Sequence, residues 1–71
     1  MRNRMAHRKR KEILRRGGKI LSEERAKGYC YIDVFYRGWH IGGGGIDRLE
    51  AYNGILFSMK VAEEEPLESE E

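Results

Sequence analysis

Only one cysteine and one proline occur in this chain of 71 residues, and no apolar run approaches the length of a membrane span. A single cysteine excludes an intramolecular disulfide, and Cys30 with His7 and His40 is too small a set for a zinc site, which usually takes four ligands. The basic N-terminus is not followed by the apolar stretch of a signal peptide. We therefore expect a cytoplasmic protein without a structural metal.

The formal net charge of +2 hides a strong separation of charge along the chain. Residues 1–19 contain nine Lys and Arg against the single acid Glu12, whereas residues 63–71 contain six Glu and no base. All seven aromatic residues lie between these segments, where a core can gather enough apolar area. The pattern predicts a basic arm at 1–19, flexible or helical, one small folded domain at 20–62 and an acidic disordered tail at 63–71.

The clearest periodicity lies in the aromatic-rich middle, where side chains alternate between two faces as they do in a strand. If residues 37–38 form a two-residue hairpin turn, Tyr36 faces Trp39 and Val34 faces Ile41. The apolar face then continues across both strands. This pattern predicts an antiparallel pair within residues 29–41.

The segments around this hairpin are less sharply defined. Residues 22–27 are typical of a short helix that begins after Ser22. The tetraglycine at 42–45 predicts a loop, because glycine loses most entropy in a strand. Asn53 with Gly54 is a strong hairpin signal and predicts a strand at 55–61, while the alternative makes 46–52 a short helix that these two residues cap.

The predicted fold is therefore α+β and mostly β, with a small antiparallel sheet of three or four strands, a short N-terminal helix and flexible termini. On this sheet Tyr31, Phe35 and His40 share the face opposite the apolar row, and Arg37 lies at the turn. An open face of this kind can stack nucleic-acid bases or anchor a protein partner. The alternative is that residues 22–27 or 46–61 cover these aromatics as a second core layer.

No arrangement of residues predicts an enzyme. The tetraglycine lacks the Lys-Ser/Thr end of a phosphate-binding loop, and His40 has no Ser or Cys nucleophile at a meaningful spacing. We expect no catalytic residue, no metal, no cofactor and no small-molecule substrate.

The basic N-terminus carries the main functional signal, because nine neighbouring cations repel one another and a polyanion removes that repulsion. A membrane surface is the weaker choice, since the segment lacks the Trp, Phe and Leu row of an interfacial helix. A tail that only keeps the protein soluble is the other alternative. The cations predicted to contact nucleic acid are Arg2, Arg4, Arg8, Lys9, Arg10, Lys11, Arg15, Arg16 and Lys19.

The segment RNRMAHRKRKEILRR resembles the arginine-rich motifs of phage antitermination proteins. A small protein with such an arm, a minimal sheet and an acidic tail is also similar in layout to phage regulators that take over host RNA polymerase. The resemblance implies a non-enzymatic transcription regulator in the host cytoplasm that binds host RNA polymerase, blocks initiation or promotes antitermination, and keeps its arm near RNA or DNA. An autonomous RNA- or DNA-binding module and a protein inhibitor of another host enzyme are the alternatives.

Overall fold

The computed structural model describes the backbone of residues 2–64 and the side chains of residues 4–64. The elements follow one another as α1 (Arg2–Arg15), β1 (Lys19–Ala26), β2 (Tyr29–Tyr36), β3 (Trp39–Gly45) and α2 (Arg48–Glu64). The strands form one antiparallel sheet in the order β1-β2-β3. Helix α2 packs on β2 and β3, and α1 packs on α2 and β1. The predicted α+β fold is confirmed, although the helices contain more residues than the strands.

The β2–β3 hairpin has the register that the sequence predicts. Tyr36 pairs with Trp39 and Val34 with Ile41. Residues 37–38 both have positive φ, at 54° and 86°. This is the backbone of a type I′ turn, whose twist matches that of the flanking strands.

The short helix predicted at 22–27 is wrong, because residues 22–26 belong to β1 and pair with β2. Their helix propensity is outweighed by the pairing partner that β2 offers, as tertiary context commonly outweighs local preference. Gly28, expected to stop a helix, instead forms the β1–β2 turn with φ of 73°.

The loop predicted at 42–45 is also wrong, because the tetraglycine forms most of β3. Helix α2 approaches this strand so closely that side chains are excluded. A Cβ on Gly43 would lie 2.7 Å from the carbonyl oxygen of Ala51, and one on Gly45 would lie 2.5 Å from the Cβ of Glu50. These glycines are needed for the approach of the helix, which outweighs their entropic cost in a strand.

Residues 48–64 form one helix, so the helical alternative for 46–52 is right in type over 48–52 and wrong in its end. The strand predicted at 55–61 is absent, and the alternative short helix ends too early. Asp47 starts α2, since its Oδ1 accepts a hydrogen bond from the backbone N–H of Glu50 at 3.0 Å. The turn signal at 53–54 is outweighed by burial at helical spacing of Tyr52, Ile55, Met59 and Ala62.

Helix α1 is part of the packed unit. Its Ala6 and Ile13 belong to the same core as the sheet residues and are 2 % and 0 % exposed. The helix ends in a glycine motif, in which the N–H of Gly17 bonds to the carbonyl of Leu14 and the N–H of Gly18 to that of Ile13. The core thus extends beyond the boundary expected at residue 20.

The acidic segment expected at 63–71 begins inside the last turn of α2, which contains Glu63 and Glu64. Residues 65–71 lie outside the described part of the chain.

The close contact between α2 and β3 predicts opposite effects of two glycine substitutions. Gly43→Ala should lower the free energy of unfolding by about 1 to 3 kcal/mol, because its Cβ meets the α2 backbone. Gly54→Ala is the matched control: nothing lies within 4 Å of its Cβ, and alanine should raise the unfolding free energy by up to about 1 kcal/mol. Urea unfolding measures both. A neutral Gly43→Ala would contradict the packing described here.

Candidate nucleic-acid and protein interfaces

Helix α1 presents a row of cations on the side opposite its buried residues. Ala6 and Ile13 face the core, and with 3.6 residues per turn the positions 4, 8, 11 and 15 share the opposite side. All four side chains are exposed. We call this set the basic row; its members are Arg4, Arg8, Lys11 and Arg15. From its first to its last Cα it spans about 17 Å, at 1.5 Å per residue.

The other predicted nucleic-acid contacts are scattered. Arg10 and Arg16 are held in ion pairs. Lys9 is half-buried beside α2, and Lys19 lies on β1, where it pairs with Phe35 of β2. Arg2 begins α1, and its side chain lies outside the described residues. The structure therefore brings four of the nine predicted cations together in one row.

A buried tyrosine and an ion pair fasten α1 to the sheet. Oε2 of Glu23 accepts hydrogen bonds from Nε of Arg10 at 3.0 Å and from the hydroxyl of Tyr52 at 3.1 Å. Tyr52 is fully buried. Burial first, and then the bond to Glu23, raises the pKa of Tyr52 above its ordinary value. One carboxylate therefore joins α1, β1 and α2.

A second cluster fastens the C-terminal end of α1. Glu12 accepts hydrogen bonds from Nε of Arg16 at 2.8 Å and from Arg15, and these two guanidiniums lower the pKa of the Glu12 carboxyl. Nη1 of Arg16 also lies 3.6 Å from Oε2 of Glu63. The same Glu63 oxygen accepts the hydroxyl of Tyr36 at 2.6 Å, which raises the pKa of Tyr36. Arg16 thus bridges the two helices.

The basic row keeps most of its charge available. Within residues 4–64, Arg4, Arg8 and Lys11 are in no ion pair. Arg15 contacts Glu12, yet its side chain remains 76 % exposed. Exposed ion pairs contribute little and are readily exchanged for another anion. A phosphate can therefore reach all four cations.

The sheet face opposite the helices is open and aromatic. Within residues 4–64 no element covers this face. The alternative that residues 22–27 or 46–61 bury these aromatics under a second core layer is therefore wrong. Tyr29 and Phe35 are 50 % and 45 % exposed. The rings of Tyr29 and Tyr31 stack with centroids 6.4 Å apart and planes at 11°. Tyr29 was missed as a site residue, although strand alternation puts it on the same face as Tyr31.

The open face carries two carboxylates, Glu24 and Asp33, and one cation, Lys19. Asp33 accepts a hydrogen bond from Oγ of Ser22 at 3.2 Å and lies 3.4 Å from Nε2 of His40. Asp33 also raises the pKa of Tyr31. Of the predicted protein contacts, Tyr31, Phe35 and His40 meet here. Arg37 stays in the turn, with its guanidinium 5.7 Å from the centre of the Tyr36 ring.

The described residues include possible metal ligands and one thiol. No group of three or more His, Cys, Asp or Glu side chains within residues 4–64 is placed to hold a metal ion. Cys30 is buried, and burial raises the pKa of its thiol, which disfavours the reactive thiolate. Neither helix in the described part of the chain is long and apolar enough to span a membrane.

Comparisons with protein-family models, with curated proteins and with solved structures find no match to this chain. The function must therefore be argued from the basic row and the open aromatic face.

Replacing Tyr52 with Phe tests the junction at Glu23. At pH 7 the free energy of unfolding should fall by about 1 kcal/mol, because the hydrogen bond to Glu23 is lost. A raised pKa in the folded state contributes stability that is present below the ordinary tyrosine pKa of about 10 and lost as the pH rises through the raised value. Urea unfolding from pH 7 to 11 should therefore show the gap between wild type and variant closing.

The control for this substitution is Tyr29→Phe, which changes an exposed ring and should leave stability at pH 7 unaltered. A gap for Tyr52→Phe that stays constant up to pH 11 would contradict the assigned role of the hydroxyl.

Proposed function

We propose that this protein is a non-enzymatic regulator that binds the phosphate backbone of RNA or DNA through the basic row of α1. The single observation that supports this most strongly is the placement of that row. Four exposed cations lie along one side of a helix, directly opposite its buried residues.

The dimensions of the row suit a nucleic-acid strand. Phosphates of one strand follow one another every 3.4 Å of helix axis in a duplex, so a row of about 17 Å runs past about five of them. Because Ile13 and the Glu23 junction hold α1 in place before binding, little conformational entropy is lost when the phosphates arrive.

The open aromatic face supports the narrower proposal of a transcription regulator that docks on RNA polymerase. It lies on the opposite side of the sheet from the helices, and beside its aromatics the two carboxylates of Glu24 and Asp33 outnumber the single cation Lys19. Such a face suits a protein partner better than a polyanion. A protein that contacts polymerase with one side and nucleic acid with the other can act on initiation or elongation, in line with the resemblance of α1 to antitermination motifs.

The basic row predicts how binding depends on salt. Four phosphate contacts to single-stranded RNA give a log–log slope of about −3, and removing three cations should bring it to about −1. The variant is Arg8→Ala, Lys11→Ala and Arg15→Ala, in which alanine preserves the helix. The control removes the same charge elsewhere, with Arg25→Ala, Lys27→Ala and Arg37→Asn. Fluorescence anisotropy at several salt concentrations measures the slopes, and equal slopes for both variants would refute the assignment of the row.

A separate assay tests the polymerase part of the proposal. Phe35→Ser with Tyr29→Ser removes exposed apolar surface from the open face and should abolish binding to purified bacterial RNA polymerase. The triple variant of the basic row should still bind but lose its effect on transcription in vitro. Wild-type protein that binds RNA but not polymerase would indicate an autonomous nucleic-acid module. Wild-type protein that binds neither would refute the whole proposal.

A further inference from the structure

The two edges of the sheet differ in how they are protected. Natural edge strands avoid unwanted pairing through charges, proline or a bulge. β1 has both a bulge at Leu21 and a charged run at 23–25. β3 has neither charge nor proline nor bulge from Ile41 to Gly45. The outer edge of β3 is therefore open to another strand.

The register of the hairpin identifies which backbone groups point outward. The residues that flank a two-residue turn, Tyr36 and Trp39, form a hydrogen-bonded pair, and such pairs alternate along an antiparallel ladder. The β3 residues of the intervening non-hydrogen-bonded pairs therefore direct their N–H and C=O groups away from β2, toward the outer edge. These are His40, Gly42 and Gly44, and all three are exposed.

An apolar groove of about 350 Å³ runs beside this edge, between β3 and the second half of α2. Its walls include Trp39 and Val61, which are 38 % and 39 % exposed. Ile41 forms part of the floor. A strand added to β3 would bury this surface along with the outward backbone groups.

We propose that β3 pairs in antiparallel fashion with β3 of a second copy of this chain, centred on Gly42, so that two three-stranded sheets form one sheet of six strands. In this pairing Gly42 lies opposite Gly42 of the second copy, and the two residues exchange backbone hydrogen bonds. This requires that the N–H and C=O of Gly42 point outward, as they do.

The order of large and small residues in β3 favours a second copy over another strand. In this register Trp39 lies opposite Gly45 of the second copy, His40 opposite Gly44, and Ile41 opposite Gly43. Every bulky side chain thus faces a glycine, and no like charges oppose one another. On the open face a Cβ at Gly44 would lie 2.7 Å from the hydroxyl of Tyr29, and one at Gly42 would meet the hydroxyl of Tyr31. The two tyrosines thus cover the glycines of their own β3, and the tyrosine hydroxyls of the two copies lie on either side of the new strand pairing.

Helix α2 is compatible with the same pairing. Its side toward the groove carries Ser58 and, one turn earlier, Gly54. Nothing lies within 4 Å of a Cβ placed on Gly54. Small residues let two helices approach closely, so the two α2 helices can pack side by side above the joined sheet.

Sedimentation of the purified full chain tests the proposal. The wild type should change with concentration from 8.3 kDa to twice that mass. Val61→Lys puts a charge into the groove and should weaken the dimer at least tenfold. Leu21→Lys introduces the same charge on β1, at the other edge of the sheet, where the side chain is 51 % exposed, and should leave the dimer intact. A wild type that stays monomeric up to about 1 mM overturns the proposal.

A backbone variant tests the strand pairing itself. His40→Pro removes an N–H that points away from β2, so the hairpin should survive while the dimer weakens. In the wild type, the amides of His40, Gly42 and Gly44 should become protected from hydrogen exchange as the dimer forms. A dimer that persists in both Val61→Lys and His40→Pro, or that leaves these amides unprotected, overturns the proposal.

Discussion

The close packing of α2 against a strand of glycines is the contact on which the rest of this structure depends. A helix that lies this near a sheet places its own backbone where side chains would otherwise stand, and the 2.7 Å between a Cβ on Gly43 and the Ala51 oxygen measures how near it is. In return Tyr52, Ile55 and Met59 become fully buried. For a chain this small, with its large surface relative to its core, such burial is what makes independent folding possible.

Helix α1 depends on α2 in turn. It makes few contacts with the sheet and packs mainly against α2, with Ile13 fully buried and with Arg10 and Arg16 bound to Glu23 and Glu63. These cations are used inside the molecule and fix the rotation of the helix about its axis. That rotation turns the basic row toward solvent. The cations of this segment thus have two roles: Arg10 and Arg16 hold the helix in place, and the basic row remains available to an external anion.

The sequence predicts the parts of the fold that local rules determine, and it misleads where a distant partner decides. Alternation and the turn at 37–38 gave the β2–β3 register correctly. The glycines at 42–45 predicted a loop and the pair at 53–54 predicted a hairpin turn. Both predictions are wrong because the packing of α2 on β3 outweighs these local preferences. The burial of Ile13 depends on α2, against which α1 packs, and residues 55–61 supply that partner only as a helix.

The candidate surfaces likewise combine features that local rules predict with features that depend on distant contacts. The open aromatic face could be predicted at Tyr31 and Phe35, because alternation alone separates the faces of a strand, whereas its lack of cover depended on where the helices pack. The basic row was also within reach, since positions 4, 8, 11 and 15 repeat at helical spacing opposite Ala6 and Ile13.

The most direct test of the central claim is a ¹⁵N NMR titration of the full chain with a short single-stranded RNA. The account predicts that α1 already has helical chemical shifts in the free protein. It further predicts that the largest changes on adding RNA occur at Arg8, Lys11 and Arg15, with the open face of the sheet little affected. An unfolded α1 in the free protein, or changes centred on Tyr31 and Phe35, would contradict it.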